Sequence, residues 1–262
     1  MDEHGKPRQE WHRLTGSETG PALEIGILTK GKPTLSMVLI SLLLQEERNI
    51  RIHVVDTSET PVINRDDVVF ALKLAFDREI RCEYEYSRER QRAFSVGKLK
   101  LLETLRGPHI CFVDDDIVMP SSTIARMLSL VKTGDVYGYY SPVCKNAGAM
   151  YQPFGGRTHY SPGGVFYQDS LVRNILMDYY SETVDVLDSR KAPRKVWETA
   201  FLTSLFPMLG RKCVIQDDNI VYHLDYNERA EWELWEGSQV HTSAAKAEEL
   251  VAKYAPHLLS GK

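Results

Sequence analysis

From residue 22 onward, short apolar runs alternate with segments of helical length. ALEIGIL (22 to 28) has the length and apolar content of a buried strand, and KPTLSMVLISLLLQ (32 to 45) reads as a helix with Pro33 in its first turn, where a missing N–H costs no hydrogen bond. IRIHVV (50 to 55) predicts a second strand, ending at the turn-forming DTSET. A helix over about 66 to 79, a shorter strand CEYEY (82 to 86), a helix over about 91 to 105 and the strand HICFV (109 to 113) follow. Ser121 or Ser122 is placed to cap a helix carrying Ile124, Met127, Leu128 and Val131 at helical spacing, and DVYGYYSPV reads as a strand. Residues 144 to 168, rich in Gly, Pro and Tyr, break the alternation as binding loops and lids do. Two helices (about 169 to 180 and 196 to 209), a strand pair within 212 to 223 that turns at Asp217 and Asp218, and a helix with Ala247, Leu250, Val251 and Tyr254 on one face complete the chain.

Strands separated by helices of this length pair in parallel through right-handed crossovers. The pattern therefore predicts an α/β fold, a single doubly wound, mostly parallel sheet flanked by helices. Ligands of such sheets collect at the carboxyl ends of the strands. Thr29, Asp56 and the triplet Asp114, Asp115, Asp116 stand at three of those ends.

With 262 residues, 43% of them hydrophobic, the chain supports one large domain over 21–262, preceded by a polar tail over 1–20. A net charge of −4 supplies no basic field for nucleic acid or acidic membrane. Cys82, Cys111, Cys144 and Cys213 form no CxxC pair, which argues against zinc and against a disulfide framework, and suggests reduced thiols in a cytoplasmic protein. The N-terminal stretch lacks an apolar signal core, and no window reaches the ~18 apolar residues needed to span a bilayer, so a soluble protein is expected.

The triplet raises an electrostatic problem. Two unit charges ~6 Å apart repel by roughly 3 kcal/mol at an effective dielectric of ~20, so three adjacent aspartates need a cation or a basic group among them, unless they form a solvated cluster capping the next helix. A hard divalent ion, Mg²⁺ or Mn²⁺, carrying a diphosphate would meet that need. Lys98 precedes Leu101, Leu102 and Leu105 by three, four and seven, which sets it on a buried helix face one turn from the start. From there it either reaches a phosphate or snorkels to solvent. Glu198 precedes Phe201, Leu202 and Leu205 in the same way, and is either a carboxylate raised toward the pKa of a general base or a favourable charge at a helix N-terminus. Gly163 and Gly164 permit close backbone approach to a ligand or form a tight turn. SRERQR (87 to 92) supplies phosphate contacts or a solvated helix start.

GPHICFVDDDIVMPSSTIARML, IGILTKGKPTLSMVLISLLLQ and HVVDTSET resemble the nucleotide-binding segments of family 2 glycosyltransferases, over about residues 23 to 223. The resemblance implies a single GT-A-type domain, with 21–118 as the nucleotide-binding half, 119–240 as the acceptor-binding half and 241–262 as a C-terminal helix. It implies a metal-dependent transfer of a sugar from a nucleotide-diphosphate sugar to a hydroxyl acceptor, with inversion. Thr29 would line the donor site and Asp56 would bond the base, unless its carboxylate closes an Asx-turn. Asp114 and Asp115 would approach ribose and metal, Asp116 would ligate the metal directly, and Gly163 and Gly164 would lie near the donor sugar or acceptor. RKCVIQDDNIVYHL resembles the closing segment, in which His223 completes the metal site and favours Mn²⁺; a lone histidine at a strand end is otherwise structural.

The chain departs from the pattern at two places. It has Lys98-Leu99 where the family often has Arg-Asn, and Glu198-Thr199 where an acidic pair supplies the base, which leaves Asp185 and Asp188 as further candidates. That second departure keeps a non-catalytic nucleotide-sugar-binding or partner subunit open. A sugar-phosphate nucleotidyltransferase is poorly matched, because ILTKGKPT lacks its Gly-rich loop. Tyr151, Phe154, Arg157 and Tyr160 suit stacking on a sugar or base. They do not separate saccharide, lipid, small metabolite, protein or modified nucleobase as acceptor.

Overall fold

A computed structural model of the chain describes residues 22–90, 92–132, 138–146, 163–182, 198–224 and 236–259. Eight strands form one sheet in the order β3-β2-β1-β4-β7-β6-β8-β5: β1 (Leu23–Thr29), β2 (Ile50–Asp56), β3 (Arg81–Tyr86), β4 (His109–Asp114), β5 (Ile117–Val118), β6 (Tyr139–Asn146), β7 (Val165–Tyr167) and β8 (Cys213–His223). Around it lie α1 (Leu35–Leu43), α2 (Asp66–Asp77), α3 (Ala93–Thr104), α4 (Thr123–Lys132), α5 (Ser170–Glu182), α6 (Glu198–Met208) and α7 (Glu236–Tyr254). None of these helices is long and apolar enough to cross a membrane.

The sheet is covered on both faces, which is why its central strands read as continuous apolar runs. Alternation along β4 sends Cys111 and Val113 to one side, where they join Ile25, Ile27, Leu35, Leu39 and Met127. Ile110 and Phe112 face the other side, with Leu101, Phe166, Tyr179, Phe201 and Leu250. The parallel register of β1 with its two neighbours pairs Thr29 with Asp56 and Leu28 with Asp114. The three polar strand ends predicted from sequence thus lie side by side along one edge.

Three details differ from the sequence pattern. The expected strand pair over 212–223 is a single strand, β8, parallel to β6, with Asp217, Asp218 and Asn219 bulging out where Pro142 pairs Gln216 and Val143 pairs Ile220. The bulge is held from outside. Arg126 on α4 donates to the Asp218 carbonyl at 2.5 Å and to its carboxylate at 2.6 Å, and Asn219 Nδ2 donates to the Thr123 carbonyl at 3.1 Å. Turn-forming residues therefore make a β-bulge here in place of a hairpin. Second, β7 lies inside the stretch expected to be irregular and inserts antiparallel between β4 and β6. Third, the two-residue β5 follows the aspartate triplet at once and pairs Ile117 with His223.

Candidate active site

β4 delivers Asp114 as its last residue, the chain turns through Asp115 and Asp116, and β5 returns antiparallel to the end of β8. The turn is tied down on both sides. Thr34 Oγ1 donates to the Asp115 carbonyl at 2.7 Å, and the Leu224 N–H donates to the Asp116 carbonyl at 2.9 Å. Strand pairing thus carries His223 to the triplet, where its Nε2 lies 3.3 Å from Asp116 Oδ2.

The repulsion inferred from sequence is met by cations from the protein. Lys32, in the loop after β1, donates from Nζ to the same Asp116 Oδ2 at 2.5 Å. Burial alone would raise the Asp116 carboxyl, but His223 and Lys32 outweigh it and hold the pKa below the ordinary carboxylate value. Burial would likewise depress His223, and the bond and charge of Asp116 raise it instead. The two neighbours behave oppositely. Burial raises Asp114 against the opposing charge of Lys98, and raises Asp115 to about 6 despite the hydrogen bond that Thr29 Oγ1 donates to its Oδ2 at 2.7 Å. The triplet is thereby split, with the pKa of Asp116 held down and those of Asp114 and Asp115 raised.

Lys98 and Glu198, separate candidates in the sequence, meet in the fold. Lys98 is 1% exposed; its Nζ donates to Glu198 Oε2 at 2.9 Å and lies 4.3 Å from the centre of the Phe112 ring. Tyr180 on α5 donates its hydroxyl to Glu198 Oε1. Burial raises the Glu198 carboxyl, and the charge and hydrogen bond of Lys98 partly offset that rise. Beside Glu198 lies a small void of about 10 Å³, bordered by Phe112, Tyr139, Gly163 and Gly164, close to the space one water needs.

The glycine pair makes its close approaches to protein. Gly163 has φ +97°, and a Cβ there would meet the Met119 methyl at 2.6 Å; a Cβ on Gly164 would meet the Tyr139 ring at 2.7 Å. Tyr139 is 2% exposed and stacks on Phe206, so it has little room to give. Gly164→Ala is expected to lower stability by about 1–3 kcal/mol, the usual range for overpacking. Chemical denaturation of the two proteins checks this; an unchanged midpoint would show that the ring moves freely.

Asp56 is fully buried. Its carboxylate accepts the Ser58 N–H at 2.7 Å, which closes an Asx-turn, the Val62 N–H at 2.8 Å and the Tyr84 hydroxyl at 2.6 Å. Its three bonds fix the loop over 57–62. Above that loop, over the ends of β1 and β2, opens a cleft of about 680 Å³ lined by Gly31, Thr57, Glu59, Arg65 and Arg90 among others, within the range of small-ligand sites.

Thr29, Asp114, Asp115, Asp116 and His223 thus come together at one sheet edge, Lys98 with Glu198 forms an adjoining buried pair, and Asp56 supports the cleft floor. Sequence reasoning missed Lys32, Tyr84 and Tyr180. Lys32 carried a signal, a cation three residues after the end of the first strand, at the carboxyl edge of the sheet. Tyr151, Phe154, Arg157, Tyr160, Asp185 and Asp188 lie outside the described residues.

No protein-family profile and no curated protein matches the sequence. Solved structures do. A 1–349 form of S. aureus TarS, determined alone, with UDP and with UDP-GlcNAc, superposes with a TM-score of 0.55 at 12% identity over 90% of this chain and 73% of its own in the form with UDP. The mannosyltransferase PcManGT from Pyrobaculum calidifontis, in complex with GDP-Man and Mn²⁺, also superposes at 0.55 and 12%, over 93% and 80% of the two chains. This chain has a GT-A-type fold. It spans 42% of the longer TarS chain.

On this GT-A-type scaffold the sheet edge presents a donor set for a divalent ion. Asp116 offers a hard oxygen, His223 offers a nitrogen on the same spot, and Asp116 Oδ1 is buried without a hydrogen-bond partner among the described residues. One carboxylate and one imidazole suit Mn²⁺ better than Mg²⁺. No group of three His, Cys, Asp or Glu side chains is placed to hold a metal among the described residues, so phosphate and water would have to complete the shell. The set fits once Lys32 gives up Oδ2.

Proposed function

We propose that this chain is a glycosyltransferase that moves a sugar from a nucleoside-diphosphate sugar to an acceptor hydroxyl by direct displacement, with inversion. The observation that carries the reading is the convergence of Asp116, His223 and Lys32 at the carboxyl edge of the sheet, beside a cleft of about 680 Å³. The fold likeness to chains solved with UDP, UDP-GlcNAc and GDP-Man supports it.

In this reading the nucleotide lies over the loop that Asp56 fixes, and Arg65 and Arg90 border it. Asp116 and His223 would hold a divalent ion, Mn²⁺ or Mg²⁺, whose positive charge stabilises the departing diphosphate. Thr29 orients Asp115. As the acceptor oxygen bonds to the anomeric carbon, the bond from that carbon to the phosphate oxygen breaks and its electron pair leaves with the diphosphate. Glu198, with its raised pKa, takes the acceptor proton, and Lys98 and Tyr180 set its orientation. Gly163 and Gly164 border the same void.

A mass-spectrometric screen of UDP- and GDP-sugars, with and without Mn²⁺, is expected to show slow metal-stimulated hydrolysis of one donor when no acceptor is present. No turnover and no binding of any nucleotide sugar would sink the reading. A second reading, a nucleotide-sugar-binding module without catalysis, draws on the occupation of both Glu198 oxygens by Lys98 and Tyr180. Calorimetry separates the two, because tight metal-dependent nucleotide binding without turnover on any acceptor supports the module.

A further inference from the structure

Asp116 is 3% exposed and its Oδ2 already carries two partners, Lys32 at 2.5 Å and His223 at 3.3 Å. A divalent ion that bridges this oxygen and His223 Nε2 would stand against the Lys32 ammonium, and the repulsion between the two cations would favour displacement of Lys32. The two ends of Lys32 differ in freedom. Its carbonyl accepts from Arg65 Nη1 at 2.8 Å, and Arg65 also holds the Gly31 and Pro33 carbonyls at 3.3 and 3.1 Å, so the backbone of the loop is clamped. The Lys32 side chain is 37% exposed, however, so its end of the ion pair with Asp116 reaches water. Gly31 and Lys30, its neighbours, line the cleft. The Lys32 ammonium thus stands on a buried carboxylate while its two preceding neighbours border the cleft.

We propose that Lys32 is a built-in counter-ion that guards the metal position: it neutralises Asp116 when no donor is bound, and it exchanges that carboxylate for the donor's diphosphate when a divalent ion takes Asp116. This rests on the metal and diphosphate reading above, and goes beyond it by assigning Lys32 two partners in turn. The exchange keeps the buried carboxylate paired at every stage, which matters because an uncompensated buried charge is strongly destabilising. It also makes metal and nucleotide bind better together than apart, because each relieves a cost imposed by the absence of the other.

The test uses the full chain with Mn²⁺ alone, followed by electron paramagnetic resonance, and then UDP and GDP titrated calorimetrically at saturating Mn²⁺. Lys32→Met is expected to bind Mn²⁺ at least about tenfold more tightly than wild type, since the competitor is gone, and to bind its preferred nucleotide about tenfold more weakly, since a phosphate partner is gone. Lys32→Arg, which keeps the charge, is expected to restore nucleotide binding, and circular dichroism confirms that both variants fold. An Mn²⁺ affinity that is unchanged or weaker in Lys32→Met overturns the proposal, as does an absence of Mn²⁺ binding in both proteins or nucleotide binding indifferent to Lys32. Failure of the glycosyltransferase reading shows separately, as a lack of sugar turnover in wild type with the Mn²⁺ comparison unaffected.

Discussion

Replacing Asp116 by alanine is expected to cut donor turnover by about 10²- to 10³-fold while leaving the fold in place, the scale on which single preorganised electrostatic groups act in catalysis. The loss follows from geometry, because Asp116 is the point where Lys32, His223 and the turn between β4 and β5 converge. The fold survives for an electrostatic reason. Removing one carboxylate relieves the like charge that adds to burial in raising both Asp114 and Asp115. The Lys32 side chain already reaches water, and His223, without Asp116, loses the main partner that raises its pKa against burial. Thermal melts and donor hydrolysis measured on the same preparation decide the matter. Full turnover in Asp116→Ala would remove this residue from the mechanism, and gross unfolding would show that the triplet serves stability first.

The largest effect on stability is expected at Lys98→Met, a loss of about 3 kcal/mol, toward the low end for a broken buried pair because the Glu198 side chain keeps 16% exposure. The loss has a pH signature. Glu198 already has a folded-state pKa above its unfolded value, because burial raises it and Lys98 only partly offsets that. A native state that holds a proton the unfolded chain has released loses stability as pH rises, from the unfolded value near 4.3 up through the folded one. Without Lys98 the folded value moves higher, so the deficit relative to wild type is small at pH 4.5 and large at pH 7.5. Urea denaturation at those two pH values measures it, and a deficit independent of pH would show that lost packing against Phe112, and not an unpaired Glu198, is responsible. The double variant Lys98→Met with Glu198→Gln is expected to regain most of the stability, since a neutral pair carries no uncompensated charge.

The central strands and their order of appearance were legible because a sheet covered on both faces demands unbroken apolar runs, and ALEIGIL, IRIHVV and HICFV are such runs. Their polar ends were legible as neighbours along one edge of the sheet for the same reason. The helical spacing of Lys98 and Glu198 correctly gave each a buried face, but not each other, because 100 residues separate them and local periodicity carries no pairing information. Lys32 and Asp116 are likewise 84 residues apart. β5 and β7, two and three residues long, fall below the length at which alternation can be recognised. Asp217 and Asp218 misled because their turn chemistry is genuine, while the partners of the bulge, Arg126 and Thr123 on α4, lie 92 and 96 residues away in the chain.

The bulge also governs which side of β8 each residue presents. In an uninterrupted strand Gln216 and Ile220, four apart, would face the same way; paired instead with the adjacent residues Pro142 and Val143, they face opposite ways. Three extra residues thus invert the strand partway along, so that Val221 is buried, Tyr222 is exposed and His223 stands opposite Ile117. The placement of the histidine beside the aspartates is in this sense a matter of counting: adding or removing one residue between Gln216 and Ile220 would demand a different splice of the two strand halves, although none of the three residues in the bulge touches the site.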